Sequence, residues 1–167
     1  MFTFTLLIIL IFLVLLSGFL SGSETAITAT SKARIIYQKK SGNKRAGFVL
    51  KLLDKKDNVI STLLLSNNLV NILASSLATA FFYDIFGVEG IFYATIIMTI
   101  VIVIFAEVLP KTYALNRPNR TALLISPIIY YLNKLLFIFV FVINLIVRVI
   151  FRKNENDTKN NDIQSEE

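Results

Sequence analysis

Apolar residues along this chain fall in long blocks, not at the spacing of a surface helix. From Phe2 to Leu16 the only polar side chains are Thr3 and Thr5, and the block continues, now with serines and glycines in it, to about Thr30. A second block runs from Asn58 to Tyr83 and a third from Ile91 to about Leu109, where Pro110 interrupts it. Each has about the ~20 residues a helix needs to cross the hydrocarbon of a bilayer. The apolar stretch 121–151 reads differently. Asn119, Ser126, Tyr130, Asn133, Lys134, Asn144 and Arg148 fall on one helical stripe, although Phe137 and Phe141 share it. Basic residues flank both ends, so an in-plane or re-entrant helix pair broken near Pro127 is expected instead of a fourth span. Residues 152–167 are polar and charged, and are predicted to be disordered. The fold class that follows is an all-α membrane protein. Three transmembrane helices (about 2–30, 58–83 and 91–109) are joined by cytoplasmic-side juxtamembrane amphipathic helices (about 31–56 and 119–151), with residues 1–151 forming one membrane domain.

Charge sets the orientation. Nine of the 17 basic residues lie between Lys32 and Lys56. The short second connection carries only Asp84 and Glu89, and Lys111, Arg117 and Arg120 follow the third block. Positive residues accumulate on the cytoplasmic side, so the N-terminus is expected outside and the C-terminus inside, in a multi-pass plasma (inner) membrane protein. No basic residue precedes the first block, which argues against a cleaved signal peptide. Within the first connection Ser31 is a candidate helix cap and the SGN at 41–43 a break. Phe48, Val49, Leu52 and Leu53 then recur at helical spacing among lysines, a pattern suited to an anionic membrane surface.

Composition narrows the chemistry. The chain is 55% hydrophobic and contains neither cysteine nor histidine. Disulfides, thiolate sites and the usual zinc or copper ligands are excluded, so any metal site must use oxygen, which suits hard cations. No nucleotide motif, nucleophile–base pair or redox motif is present, and the chain reads as a non-enzyme. The basic block lies between apolar segments, so it is read as a topology signal and not as a nucleic-acid surface.

Oxygen-bearing side chains interrupt all three blocks. In SGFLSGSETA, Ser17 and Ser21 are four apart, as are Gly18 and Gly22, and Ser23 and Glu24 follow. Serines in spans commonly bond the carbonyl four residues back, and glycine pairs commonly pack helices. Glu24 is different, because an ionisable group in a membrane costs ~2.5–3.5 kcal/mol and usually faces the bundle interior. Pairing with Lys32 or Arg34 is its plainer explanation. The second block carries Asn67, Asn68 and Asn71, with Asn68 and Asn71 three apart and so on one side of a helix. One asparagine is ordinary interhelical glue; three in five residues favour a functional cluster. The third block ends FAEVLPKT. Glu107 is its only carboxylate, and Pro110 removes the N–H that would bond the Ala106 carbonyl. Carbonyls near such a break, that of Val103 among them, are candidate cation ligands. Lys111 would hold the broken end or neutralise Glu107, and a simple helix stop at the membrane surface is the alternative. Magnesium takes about six oxygens, and this set supplies them with little fixed charge.

The three motifs in this order, SGFLSGSETA, then SNNLVNILASSLAT, then AEVLPKT, resemble the membrane domain of the CorC/CNNM magnesium transporter family, over roughly residues 4–150. The resemblance implies three spans with a juxtamembrane belt, a homodimer, and magnesium efflux with sodium as the coupling ion. Carried over, the bound Mg2+ would be held by Ser17, Ser21, Asn68, Asn71 and Glu107, with Ser23, Glu24, Asn67 and the Val103 carbonyl as weaker candidates. Family members continue into nucleotide-binding CBS domains, which this sequence lacks, so nucleotide regulation is not implied. A minimal transporter, a subunit served by a separate cytoplasmic chain, and a non-transporting scaffold are the resulting alternatives. A pore-forming lytic protein is a weaker one, suggested by the haemolysin-like names of some relatives.

Overall fold

The computed structural model describes residues 2–139 and 142, and its regular elements are all helical. They are α1 (Phe2–Ala29), α2 (Lys32–Lys40), α3 (Lys44–Asp54), α4 (Lys56–Phe86), α5 (Glu89–Val101), a π-helical segment (Ile102–Val108), α6 (Leu109–Asn116) and α7 (Pro118–Leu135). α5, the π segment and α6 run end to end, so three helices are long and apolar enough to cross a membrane: Phe4–Ala29, Lys56–Phe86 and Glu89–Asn116. The third extends well past Leu109. Its interruption at Pro110 is a change of hydrogen-bond register and not a stop. The polar tail expected from Arg152, and the end of the 119–151 segment, lie outside the described residues.

α1 packs against both α4 and the third span. Two apolar layers hold it there. Leu10 and Val14 meet Ala74, Ala78 and Met98 towards the N-terminal end of α1. Towards its other end, Leu20 and Ile27 join Val59, Leu63, Val70, Ile125 and Ile129 in a larger cluster. Between α4 and α5 the chain reverses in a tight turn. Gly87 adopts φ +63°, a left-handed conformation that glycine enters at no steric cost, and its N–H donates to the Tyr83 carbonyl at 2.8 Å. Gly90 then comes so close to the end of α4 that a Cβ there would stand 2.2 Å from the Phe82 carbonyl oxygen.

The basic end of the bundle is closed by α2, α3 and α7. The break at 41–43 is present, with Gly42 at φ +85° and the Asn43 side chain accepting from the Arg45 N–H at 3.0 Å to cap α3. Ser31 stands at the N-cap position of α2, but its side chain makes no capping bond; its backbone N–H donates instead to Asn119 Oδ1 at 3.1 Å. The apolar stripe of α3 faces protein, not lipid. Val49 and Leu52 are buried, and Phe48 meets Tyr130 of α7 edge-to-face at 5.4 Å.

α7 differs from expectation in one respect: it does not break at Pro127. Proline cannot supply the N–H for the Leu123 carbonyl. The Ser126 hydroxyl donates to that carbonyl at 3.2 Å, and it also lies 3.4 Å from the Arg45 carbonyl of α3. One hydroxyl thus stands between the carbonyl that proline abandons and a carbonyl of α3, and can donate to either. The two polar anchors of α7 lie at the same end of the bundle. Asn119 accepts from Ser31, just beyond α1, and Asn133 accepts from Thr62, less than two turns into α4, at 2.6 Å. The helix therefore lies across that end, as expected of a juxtamembrane element.

Candidate cation site between the first two spans

Between the two apolar layers, α1 and α4 meet through polar groups. The Ser17 hydroxyl is fully buried, 2.8 Å from Asn67 Oδ1 and 2.5 Å from Asn71 Oδ1. A hydroxyl has one proton and can donate to one of these oxygens at a time. At any moment one of the two amide oxygens therefore lacks the Ser17 proton, which leaves an oxygen lone pair of the kind that a bound cation takes. Asn67 and Asn71 are four apart on α4, and their amides converge because Val59, Leu63, Val70, Ala74 and Ala78 turn that face of the helix into the bundle.

One turn along α1, Ser21 is fully buried, and its Oγ has no hydrogen-bond partner among the described residues. Other hydroxyls of this helix do not behave this way. Ser23 donates to the Phe19 carbonyl at 2.6 Å, Thr25 to Ser21, Thr28 to Glu24 and Thr30 to Ala26, each four residues back. Ser21 forgoes that bond. A buried unsatisfied hydroxyl costs about 1–3 kcal/mol. Ser21→Ala should accordingly raise the Tm of the metal-free protein, by about 2–4 °C for each kcal/mol recovered. A fall in Tm on differential scanning would mean the hydroxyl is satisfied after all.

The third span approaches the neighbouring face of α1. A Cβ on Gly18 would stand 3.0 Å from the Phe105 carbonyl oxygen, and one on Gly22 would stand 3.2 Å from Pro110 Cβ. The two glycines thus let the π segment and the start of α6 lie against the serine-bearing turn. In the i→i+5 register the Leu109 N–H bonds the Ile104 carbonyl. The next donor in line would be residue 110, which is proline. The carbonyl that loses its in-register donor is therefore that of Phe105, and not that of Ala106 as an α-register predicts. In the same register the Val103 carbonyl is matched to the Val108 N–H. Glu107 is half-buried on this segment, beside Ala106, which is buried. Its carboxylate makes no hydrogen bond or ion pair among the described residues, so Lys111 does not neutralise it.

Asn68 is exposed, turned about 100° around α4 from Asn67, and it is Asn67 that meets Ser17. Ser23 is buried but back-bonded to its own helix. Glu24 is half-buried, and its expected partner Lys32 binds Asp54 at 2.8 Å instead. Thr62 and Ser66, also buried, were not anticipated; they bond within α4, and Thr62 also reaches Asn133. Among the described residues no three acidic side chains gather as a metal cluster. Any cation held here would be held by hydroxyl and amide oxygens with a single carboxylate in reserve.

Residues 8–167 match the cyclin M transmembrane N-terminal domain. The chain belongs to the cyclin M transmembrane-domain family. A similar protein is the UPF0053 inner membrane protein YfjD of Escherichia coli, 43% identical over 137 residues, which are 82% of this chain and 32% of the relative. A UPF0053 protein of Haemophilus influenzae is 36% identical over 148 residues, 89% of this chain and 35% of the relative. The chain thus spans about a third of the length of these relatives. Among the described residues the regular elements are all helical and three helices are long and apolar enough to cross a membrane, in agreement with the hydropathy pattern, and the protein is a membrane protein.

Proposed function

We propose that the chain carries out the membrane step of divalent-cation transport, with magnesium as cargo, in the inner membrane. One observation carries this reading: two amide oxygens aimed at one buried serine hydroxyl, at membrane depth. Four oxygens, from Ser17, Ser21, Asn67 and Asn71, would form one side of the coordination sphere. Glu107, the Phe105 carbonyl or retained water would complete the ~6 ligands that magnesium takes. The apolar layers on either side would act as alternating barriers, and the low fixed charge would keep binding weak enough for release. Efflux coupled to sodium, a homodimer, and termini placed by the basic residues at the α2–α3 end belong to the same reading.

A thermal-shift titration of purified protein with magnesium, calcium, manganese and sodium tests it. Saturating magnesium should raise Tm by about 5 °C or more, given a ligand at ~100 times its Kd. Glu107→Gln should lose at least half of that rise. An equal rise in both proteins would remove Glu107 from the site. No ion-linked rise at all, together with co-purification of another chain, would favour the scaffold reading.

A further inference from the structure

A second site lies away from the cation cluster, at the basic end of the bundle. Lys51 and Lys55 of α3 and its C-terminus, with Tyr130 and Lys134 of α7, border a groove of about 650 Å³ that continues onto Leu135 and Ile138. None of the three lysines has a carboxylate partner among the described residues. The one carboxylate on the rim, Asp54, is already engaged by Lys32 at 2.8 Å. Lys51 Nζ lies over the Tyr130 ring, 5.4 Å from its centroid, and both residues line the groove. Three like charges gathered here repel one another until an anion enters. Leu135 and Ile138 are largely exposed, and α4 begins its crossing at Lys56, beside Lys55. The groove thus offers ammonium groups and bare aliphatic surface together, where the first connection joins the second apolar helix.

We infer that this groove is a binding site for an anionic phospholipid. The phosphate sits among Lys51, Lys55 and Lys134, and an acyl chain runs along Leu135 and Ile138. Charge complementarity selects an anion, and the apolar continuation selects an amphiphile over a free phosphate. A second basic groove, lined by Arg34, Gln38, Asn43, Asn119 and Arg120, is a built-in control, because it can lose the same number of charges at the same end of the molecule.

The test measures Tm of the full chain in detergent with added dioleoylphosphatidylglycerol, dioleoylphosphatidylcholine or glycerol phosphate. Wild type and R34Q/R120Q should gain about 5 °C with phosphatidylglycerol over phosphatidylcholine. K51Q/K134Q should match wild type in phosphatidylcholine and lose most of that gain, and K51R/K134R should keep it. Three results would each overturn the assignment: a full gain in K51Q/K134Q, an equal loss in R34Q/R120Q, which would indicate general surface attraction, or a full gain with glycerol phosphate alone.

Discussion

Asn67→Leu is expected to abolish the magnesium-dependent rise in Tm and reduce magnesium flux to background. Asn68→Leu, one residue on, should leave both within about twofold of wild type, as exposed substitutions generally do. Leucine has the same heavy-atom branching as asparagine and is bulkier, so the first change removes an oxygen from the cluster without opening a cavity. The Ser17 hydroxyl keeps the Asn71 oxygen as acceptor, so the metal-free fold is retained. Loss of even an outer partner of a metal ligand typically costs 10–100-fold in affinity, and a direct ligand costs at least as much. The pair discriminates sharply because the two side chains share sequence context and differ in direction. If Asn68→Leu were the damaging change in a proteoliposome flux assay, the cluster at Ser17 would be packing and the site would lie elsewhere.

Gly90→Ala should be the most destabilising single-methyl change in the described structure. The added carbon would meet three backbone atoms of α4: the Phe82 oxygen at 2.2 Å, the Phe82 carbon at 2.5 Å and the Tyr83 nitrogen at 2.9 Å. No rotamer change relieves a backbone clash, so α5 must move off α4. Overpacking of this kind costs about 1–3 kcal/mol or more, equivalent to a fall of several degrees in Tm. Gly47→Ala is the counterpart. A Cβ there has open space within 4 Å, inside α3, so the change should stabilise by up to about 1 kcal/mol through helix propensity. Similar Tm values for the two variants would mean that the α4–α5 turn is looser than its geometry.

The three spans were legible because apolar blocks of membrane length leave the backbone few ways to satisfy its own polar groups. The polar cluster between the first two spans was legible in kind but not in register. Asn68 and Asn71 share a helix side as well as Asn67 and Asn71 do. What selects the second pair is the buried face of α4, traced by Val59, Leu63, Val70, Ala74 and Ala78, and the matching four-residue spacing of Ser17 and Ser21. Both prolines were read as breaks, and neither ends its helix. At Pro127 the neighbouring Ser126 hydroxyl supplies a donor, which Ser126-Pro127 in the sequence does hint at. At Pro110 the whole preceding turn widens to π spacing, a collective response that no single residue announces.

The scarcity of charge in the spans has an electrical consequence. Away from their ends the three helices carry Glu24, Glu107 and Lys111 as their only charged side chains, a sum of −1. On the proposed reading, a divalent cargo crossing so sparsely charged a path carries two elementary charges through the transmembrane voltage. At ~2.3 kcal/mol per elementary charge per 100 mV, each ion exchanges about 4.6 kcal/mol with a 100 mV field. The proposed export, against an inside-negative potential, would then depend on voltage as well as on concentration. Inward flow of other charge would favour it.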